Sequence, residues 1–421
     1  MSGQQESWLE KIGLHPQLAV GYLGLLLFMI GDGVEAGFLS PMLVDMHFSE
    51  SQAAFVFTLY GATAAIAAWL SGTLSDLWGP KRVMWVGLLI WVVFEIPFLL
   101  IGVAHRNYPV IAFCYMLRGF GYPLFAFGFL VWVAAVTPSR YLATAVGWFW
   151  VARTGGLPTL GSLMASFSVP RWGAYASLWL STIFVLVGGL IALIGVKEAR
   201  GLTGLQVGRT GNPLAVLFSG ISIVWKKPKV GLGGLVAIIT TTSEFGFLLF
   251  LPIYYTHTIG FSLRQWLQIL SVMFATNVVF NLIWGYVGDR IGWRRTVTFV
   301  GACGCAVTTL GLFYVPSHFG KNYLLVTLAG MAYGATLAGF VPLSAIMATL
   351  APEAKGAAMS VMNLGSGTSI WLGPAIAGIF LPRVGVVGVI WIFAGMYVLS
   401  ALIAMTLKLP SERRVPVLES A

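Results

Sequence analysis

The sequence predicts an all-α membrane protein in which twelve transmembrane helices form two pseudo-symmetric six-helix bundles. Three observations carry that expectation. Hydrophobic residues fill 58% of the 421 positions and charged residues only 9%, whereas a soluble domain is roughly a quarter charged. The apolar residues gather into successive runs, each near the ~20 residues that cross a bilayer as a helix. A polar loop after the second run also returns after the eighth, at one constant displacement along the chain.

Taken in order, the predicted spans are 18–41, 52–75, 83–104, 109–136, 142–168, 173–196, 230–256, 264–287, 296–315, 322–349, 357–381 and 386–408. The mean hydropathy of +0.88 fits such a chain. Its 51 glycines and 19 prolines do not oppose helices here, because small residues let membrane helices approach and neighbours satisfy backbone groups freed at kinks. Residues 1–17 are polar and lack the basic-then-apolar order of a secretory signal, so Leu18 opens the first span. The longest polar stretch, 197–229, holds Lys197, Arg200, Arg209, Lys226, Lys227 and Lys229. Within it Leu214 to Trp225 is apolar enough for a short interfacial helix. The chain therefore divides into an N-terminal bundle (1–196), a linker (197–229) and a C-terminal bundle (230–421).

A net charge of +10 raises nucleic acid as a partner, but the basic residues sit in alternate loops, as orientation in a membrane requires. One side collects Lys11, Lys81, Arg82, Arg140, the linker cluster, Arg290, Arg294, Arg295, Lys355, Lys408, Arg413 and Arg414. The other has Arg106, Arg171, Arg264, Lys321 and Arg383. Both termini are expected in the cytoplasm, the lipid bilayer is the surrounding partner, and nucleic acid is not one. Cys114, Cys303 and Cys305 lie in apolar runs without CxxC spacing and read as packing residues. No metal-spaced His/Cys cluster and no Gly-x-x-x-x-Gly-Lys-Ser/Thr loop is present, so neither a metal, another cofactor nor an enzyme is expected.

The repeated loop reads Gly72-Thr-Leu-Ser-Asp76-Leu-Trp-Gly79-Pro-Lys81-Arg82 and then Gly285-Tyr-Val-Gly-Asp289-Arg-Ile-Gly292-Trp-Arg294-Arg295, each matched position 213 residues after its counterpart. It resembles the signature loop of the major facilitator superfamily, which occurs once in each half. Arg118-Gly119-Phe120-Gly121 resembles that family's fourth-span arginine motif, without its usual Gln. Gly147, Gly155, Gly156, Pro158 and Gly161 depart from the fifth-span pattern of drug/proton antiporters. The chain as a whole, with Gly31-Asp32-Gly33-Val34-Glu35-Ala36-Gly37, resembles the polyol permease group that carries ribitol and D-arabinitol. The resemblance implies alternating access, a small-molecule solute, a bacterial inner membrane and a monomer. An acid at the end of a span and glycines in a tight turn suit a conformational latch. The alternative is plain topology, with the basic residues holding the loop inside.

Ionisable residues inside spans mark sites by default. Six do so here: Asp32, Glu35, Glu95 and Glu244 against Arg118 and Arg153. All six ionised would leave a net charge of minus two, and burial together with like-charge crowding favours a proton on one acid. Asp32 and Glu35 are three apart on one helix face; one or the other is the expected proton carrier, with Arg118 or Arg153 modulating it. A fixed Glu95–Arg118 ion pair is the structural alternative. The histidines lie near span ends and do not suit the task.

Solute contacts are expected in the second half, near the midplane. Asn277 and Asn281 are four apart, and Asn363, Ser366 and Ser369 form a polar stripe near Trp371. Amides and hydroxyls flanked by aromatics suit a neutral polyol; interhelical hydrogen bonding is the competing use. The expected function is proton-coupled uptake of such a polyol. An organic-anion symporter using the two arginines, a passive facilitator and a transport-silent sensor are the alternatives.

Overall fold

The computed structural model describes residues 16–137, 142–196, 202–203, 223–352 and 355–408. Ten helical runs in it are long and apolar enough to cross a membrane. Two of these, Ala145–Gly195 and Val361–Thr406, are interrupted by a glycine with non-helical dihedrals, Gly173 (φ 84°) and Gly385 (φ 65°). Only glycine turns at such φ cheaply, so each run is a hairpin of two spans, which makes twelve spans among the described residues. In chain order they are α1 (Leu18–Asp45), α2 (Glu50–Trp78), α3 (Pro80–Val103), α4 (Tyr108–Val136), α5 (145–172), α6 (174–195), α7 (Pro228–Thr258), α8 (Leu263–Ile291), α9 (Trp293–Phe319), α10 (Tyr323–Leu350), α11 (361–384) and α12 (386–406). Most of the linker, including most of the interfacial helix expected at 214–225, lies outside the described residues, as does Arg140.

The internal repeat reaches down to single hydrogen bonds. Helix α2 starts with a capping box in which Ser49 and Gln52 satisfy each other's backbone N–H; α8 starts with the same box from Ser262 and Gln265, which satisfies donors that a helix start leaves orphaned. At the other ends, Gly79 (φ 90°) and Gly292 (φ 101°) turn the chain directly into α3 and α9. Asn107 and Asn322 cap α4 and α10 through Val110 and Leu325.

Helix α1 is discontinuous. Regular turns end at Val34, residues 35–38 form a turn, and the helix resumes at Leu39. Backbone carbonyls freed in a membrane must find donors. Ser181 Oγ on α6 donates to Gly31 O at 2.8 Å, and Trp266 Nε1 on α8 donates to Gly37 O at 2.9 Å. Gly33 is needed because a methyl there would run into the Leu157 carbonyl of α5.

Contacts between the halves gather on the face away from the basic loops, here called the far face. Ser40 Oγ donates to Leu249 O at 2.5 Å, Ser271 Oγ to Thr159 O at 2.9 Å and Arg264 Nε to Ser166 O at 3.3 Å. His257 Nε2 lies 3.5 Å from Asp45 Oδ1. Gly61, Gly367 and Gly378 let α2 and α11 approach closely, against Ile370, Ala65 and Ala54, the small-residue packing typical of membranes.

Candidate functional site

Where the far-face contacts stop, a cavity of about 450 Å³ separates the halves. It extends toward the basic ends through Trp69, Ser71 and Gly72 on α2, Phe127, Leu130 and Val131 on α4, Trp150 on α5, and Met362 and Asn363 on α11. Its inner wall carries Asp32, Glu35, Tyr60, Tyr115, Tyr122 and Arg153 from the first half, and Thr241, Glu244 and Ser366 from the second.

Arg118 on α4 organises the first half's charge. Its guanidinium takes both oxygens of Glu35, with Nη1 3.0 Å from Oε2, and also pairs with Glu95 Oε2. Arg118 and Glu95 are 0% exposed and Glu35 is 2% exposed. Aromatic faces enclose the cation: Tyr115 at 4.5 Å, Trp91 at 4.8 Å, Phe98 at 5.6 Å and Tyr60 at 5.8 Å from ring centroid to Cζ. Such faces attract a guanidinium most where water is excluded. Asp32 is held separately, accepting from Trp91 Nε1 at 2.7 Å. Trp91 thus touches Asp32 by its edge and Arg118 by its face. Glu35 sits in the turn of α1 rather than on a continuous helix face with Asp32, yet both acids reach the cavity.

Arg153 and Glu244 wall the cavity from α5 and α7. The Arg153 guanidinium lies 5.4 Å from the Trp150 ring and 5.9 Å from that of Tyr122, just before a π-helical stretch at Gly155–Gly161. Glu95 does not wall the cavity; it sits behind Arg118. Of the neutral residues expected to meet solute, Asn363 and Ser366 are in the wall. Asn277, Asn281 and Trp371 are elsewhere. Asn277 Nδ2 donates to Gly334 O on α10 at 3.1 Å, and its Oδ1 accepts from Asn281 Nδ2 at 3.3 Å. This polar face of α8 meets a neighbouring helix instead of the cavity. Trp371 lies where the α11 backbone passes against Gly61, and Ser369 Oγ ties α11 to Ile238 O on α7 at 2.7 Å. Tyr60, Tyr115, Tyr122 and Thr241 escaped sequence reasoning because they resemble ordinary packing residues; Tyr115, Tyr122 and Thr241 are close in sequence to Arg118 or Glu244, whereas Tyr60 carries no such signal.

In the repeated loop, the first basic position has one job in both halves. Lys81 Nζ donates to Val196 O, just past α6, at 2.6 Å, and Arg294 Nη1 donates to Met405 O, near the end of α12, at 3.1 Å. A cation there satisfies orphaned carbonyls and complements the helix dipole. These contacts run within each half. Asp289 accepts from Trp293 Nε1 at 2.7 Å, Gly72 reaches the cavity wall, and Gly285 has open space around its Cα. Arg82 and Arg295 are exposed, while Asp76 is partly buried.

The sequence model of the Major Facilitator Superfamily matches residues 21–341 and 233–420. Over 405 residues, 96% of this chain and 92% of the relative, the sequence is 44% identical to the alpha-ketoglutarate permease of Bacillus subtilis. It is 37% identical to the D-arabinitol transporter and 35% identical to the ribitol transporter of Klebsiella pneumoniae, each over 95% of this chain and 93% of the relative. Among solved structures, the nucleoside transporter NupG superimposes with a TM-score of 0.72 at 16% identity, covering 93% of this chain and 98% of the other. A D-xylose-proton symporter does so at 0.70 and 17%, covering 95% and 98%. At such identities the structures bear on the fold alone. Matched along nearly its whole length by the family model and by full-length relatives, this multi-pass chain belongs to the Major Facilitator Superfamily and is a membrane transporter rather than an enzyme.

Proposed function

We propose that the protein is a secondary active transporter that takes up a small polyol or related sugar together with a proton. The observation that carries this reading is the cavity between the halves, closed at the far face and lined by ionisable groups beside neutral hydrogen-bonding ones. A solute site at the midplane between two repeats is what alternating access requires. Three carboxylates, Asp32, Glu35 and Glu244, wall it with one guanidinium, Arg153. That excess of negative charge disfavours an anion, and the amide of Asn363 and hydroxyl of Ser366 meet a neutral solute from the second half. The proton is the coupling ion and no other cofactor takes part. The D-arabinitol and ribitol relatives support the same solute class. The protein works as a monomer in the cell inner membrane, with both termini and the basic loops in the cytoplasm, so the structure corresponds to the inward-open state. The repeated loops latch the opposite state.

A second reading, uptake of an organic anion, is favoured by Arg153 in the cavity wall and by the 44% identical permease. It requires protons on the facing carboxylates before an anion binds. Purified protein in liposomes, loaded with unlabelled solute and given radiolabelled ribitol, D-arabinitol or α-ketoglutarate, separates the two. Counterflow of a polyol that α-ketoglutarate does not inhibit is the expected result; the reverse pattern overturns the polyol. An imposed proton gradient then tests coupling, since a passive facilitator equilibrates solute without accumulating it.

A further inference from the structure

Arg118 has two carboxylate partners in different surroundings. Glu35 faces the cavity, where water and solute arrive; Glu95 is 0% exposed behind the guanidinium, and its Oε1 has no hydrogen-bond partner among the described residues. The aromatic faces of Trp91, Tyr115, Phe98 and Tyr60 fix the cation between them. We propose that Glu95 is the standing counter-ion of Arg118, so that Glu35 can take up and release the transported proton without stranding a guanidinium in the membrane interior. The inference rests on the proton-coupled reading above and assigns unlike tasks to two chemically equal acids.

The reasoning is electrostatic. A buried arginine with a single carboxylate loses its only partner when that acid is protonated, and an unpaired buried charge is strongly unfavourable. With two carboxylates the cluster goes from one excess negative charge to a neutral Glu95–Arg118 pair as the proton arrives on Glu35 from the cavity. No bond other than O–H forms or breaks. The remaining titratable groups around the cluster are Asp32 on α1, Tyr60 on α2, Cys114, Tyr115 and Tyr122 on α4, Arg153 on α5 and Glu244 on α7. Asp32 already has the Trp91 N–H, and Arg153 lies against the Trp150, Tyr122 and Phe127 rings.

The test is proton-driven accumulation in liposomes across mildly acid to mildly alkaline pH for wild type, Glu95→Gln and Glu35→Gln. In Glu95→Gln, Arg118 has Glu35 alone and holds it ionised, since an opposite charge favours the charged form. Half-maximal accumulation is then expected to need about tenfold more protons, a shift of ~1 unit to lower pH. Glu35→Gln is expected to lose both accumulation and its pH dependence. A Glu95→Gln profile that matches wild type, or moves to higher pH, overturns the proposal. Thermal unfolding of the two single variants and the double variant gives a readout independent of transport. Either single change leaves Arg118 one carboxylate, so the double variant is expected to lose more stability than the singles sum to. Additive losses, or a Glu95→Gln protein that fails to fold where Glu35→Gln folds, also overturn it. Absence of accumulation in wild type defeats the proton-coupled reading itself, while the stability cycle still decides whether Arg118 draws on both carboxylates.

Discussion

The middle of α4 and the middle of α10 occupy matching places in the two halves, yet they carry opposite chemistry. Counted from the capping residues Asn107 and Asn322, Arg118 and Tyr333 fall at the same position. Arg118 binds two buried carboxylates. Tyr333 Oη instead meets Tyr397 Oη at 2.9 Å, and Tyr397 donates to Thr240 O at 3.0 Å. The first half thus ties its helices together with groups that respond to protons, and the second with hydroxyls that do not. The backbone symmetry of caps and turns is kept where it sets geometry, and it is broken where one half must sense a gradient and the other need only hold shape. Glu244 is the exception, an acid that the second half offers to the cavity.

The largest test of this contrast is Arg118→Met. Leaving Glu35 and Glu95 without their cation is expected to cost roughly 3–5 kcal/mol and to abolish uptake, seen by thermal unfolding and by transport in liposomes. Next come Glu35→Gln, where gradient-driven accumulation is expected to disappear, and Asp32→Asn beside it. Full accumulation in both places the proton carrier outside α1. A smaller effect is expected for Asn363→Ala, which removes one hydrogen bond worth about 1 kcal/mol and raises half-saturating solute about fivefold. An unchanged half-saturation value there means that the solute does not lean on α11. The smallest effect is expected for Tyr333→Phe: about 1 kcal/mol of stability, with the pH profile of transport unmoved. A profile that moves with this substitution erases the distinction between the halves.

Much of this was legible without coordinates because membranes restrict what a chain can do. Span positions follow from length and hydropathy, and a constant 213-residue displacement identifies the related halves. The span assignments also made Glu95 a candidate ion-pair partner of Arg118. What periodicity does not encode is which neighbour a polar face meets. Asn277 and Asn281 share a face of α8 as expected, but that face meets α10. The turn at residues 35–38 was hidden for a related reason: glycines permit a break, while the donors that stabilise it, Ser181 and Trp266, come from distant parts of the chain. Tyr333 carried a signal that went unread, namely that it occupies the place of Arg118 in the repeat.

The paired contacts from Lys81 to Val196 and from Arg294 to Met405 have a consequence for how the chain is made. Each fastens the beginning of a half's third helix to the end of its sixth, using only residues of that half. Synthesis runs from the N-terminus and domains generally fold as units as they emerge. The first six helices therefore possess a clasp that needs no residue of the second half. Each half thus carries the means to join its third helix to its sixth without waiting for the other half.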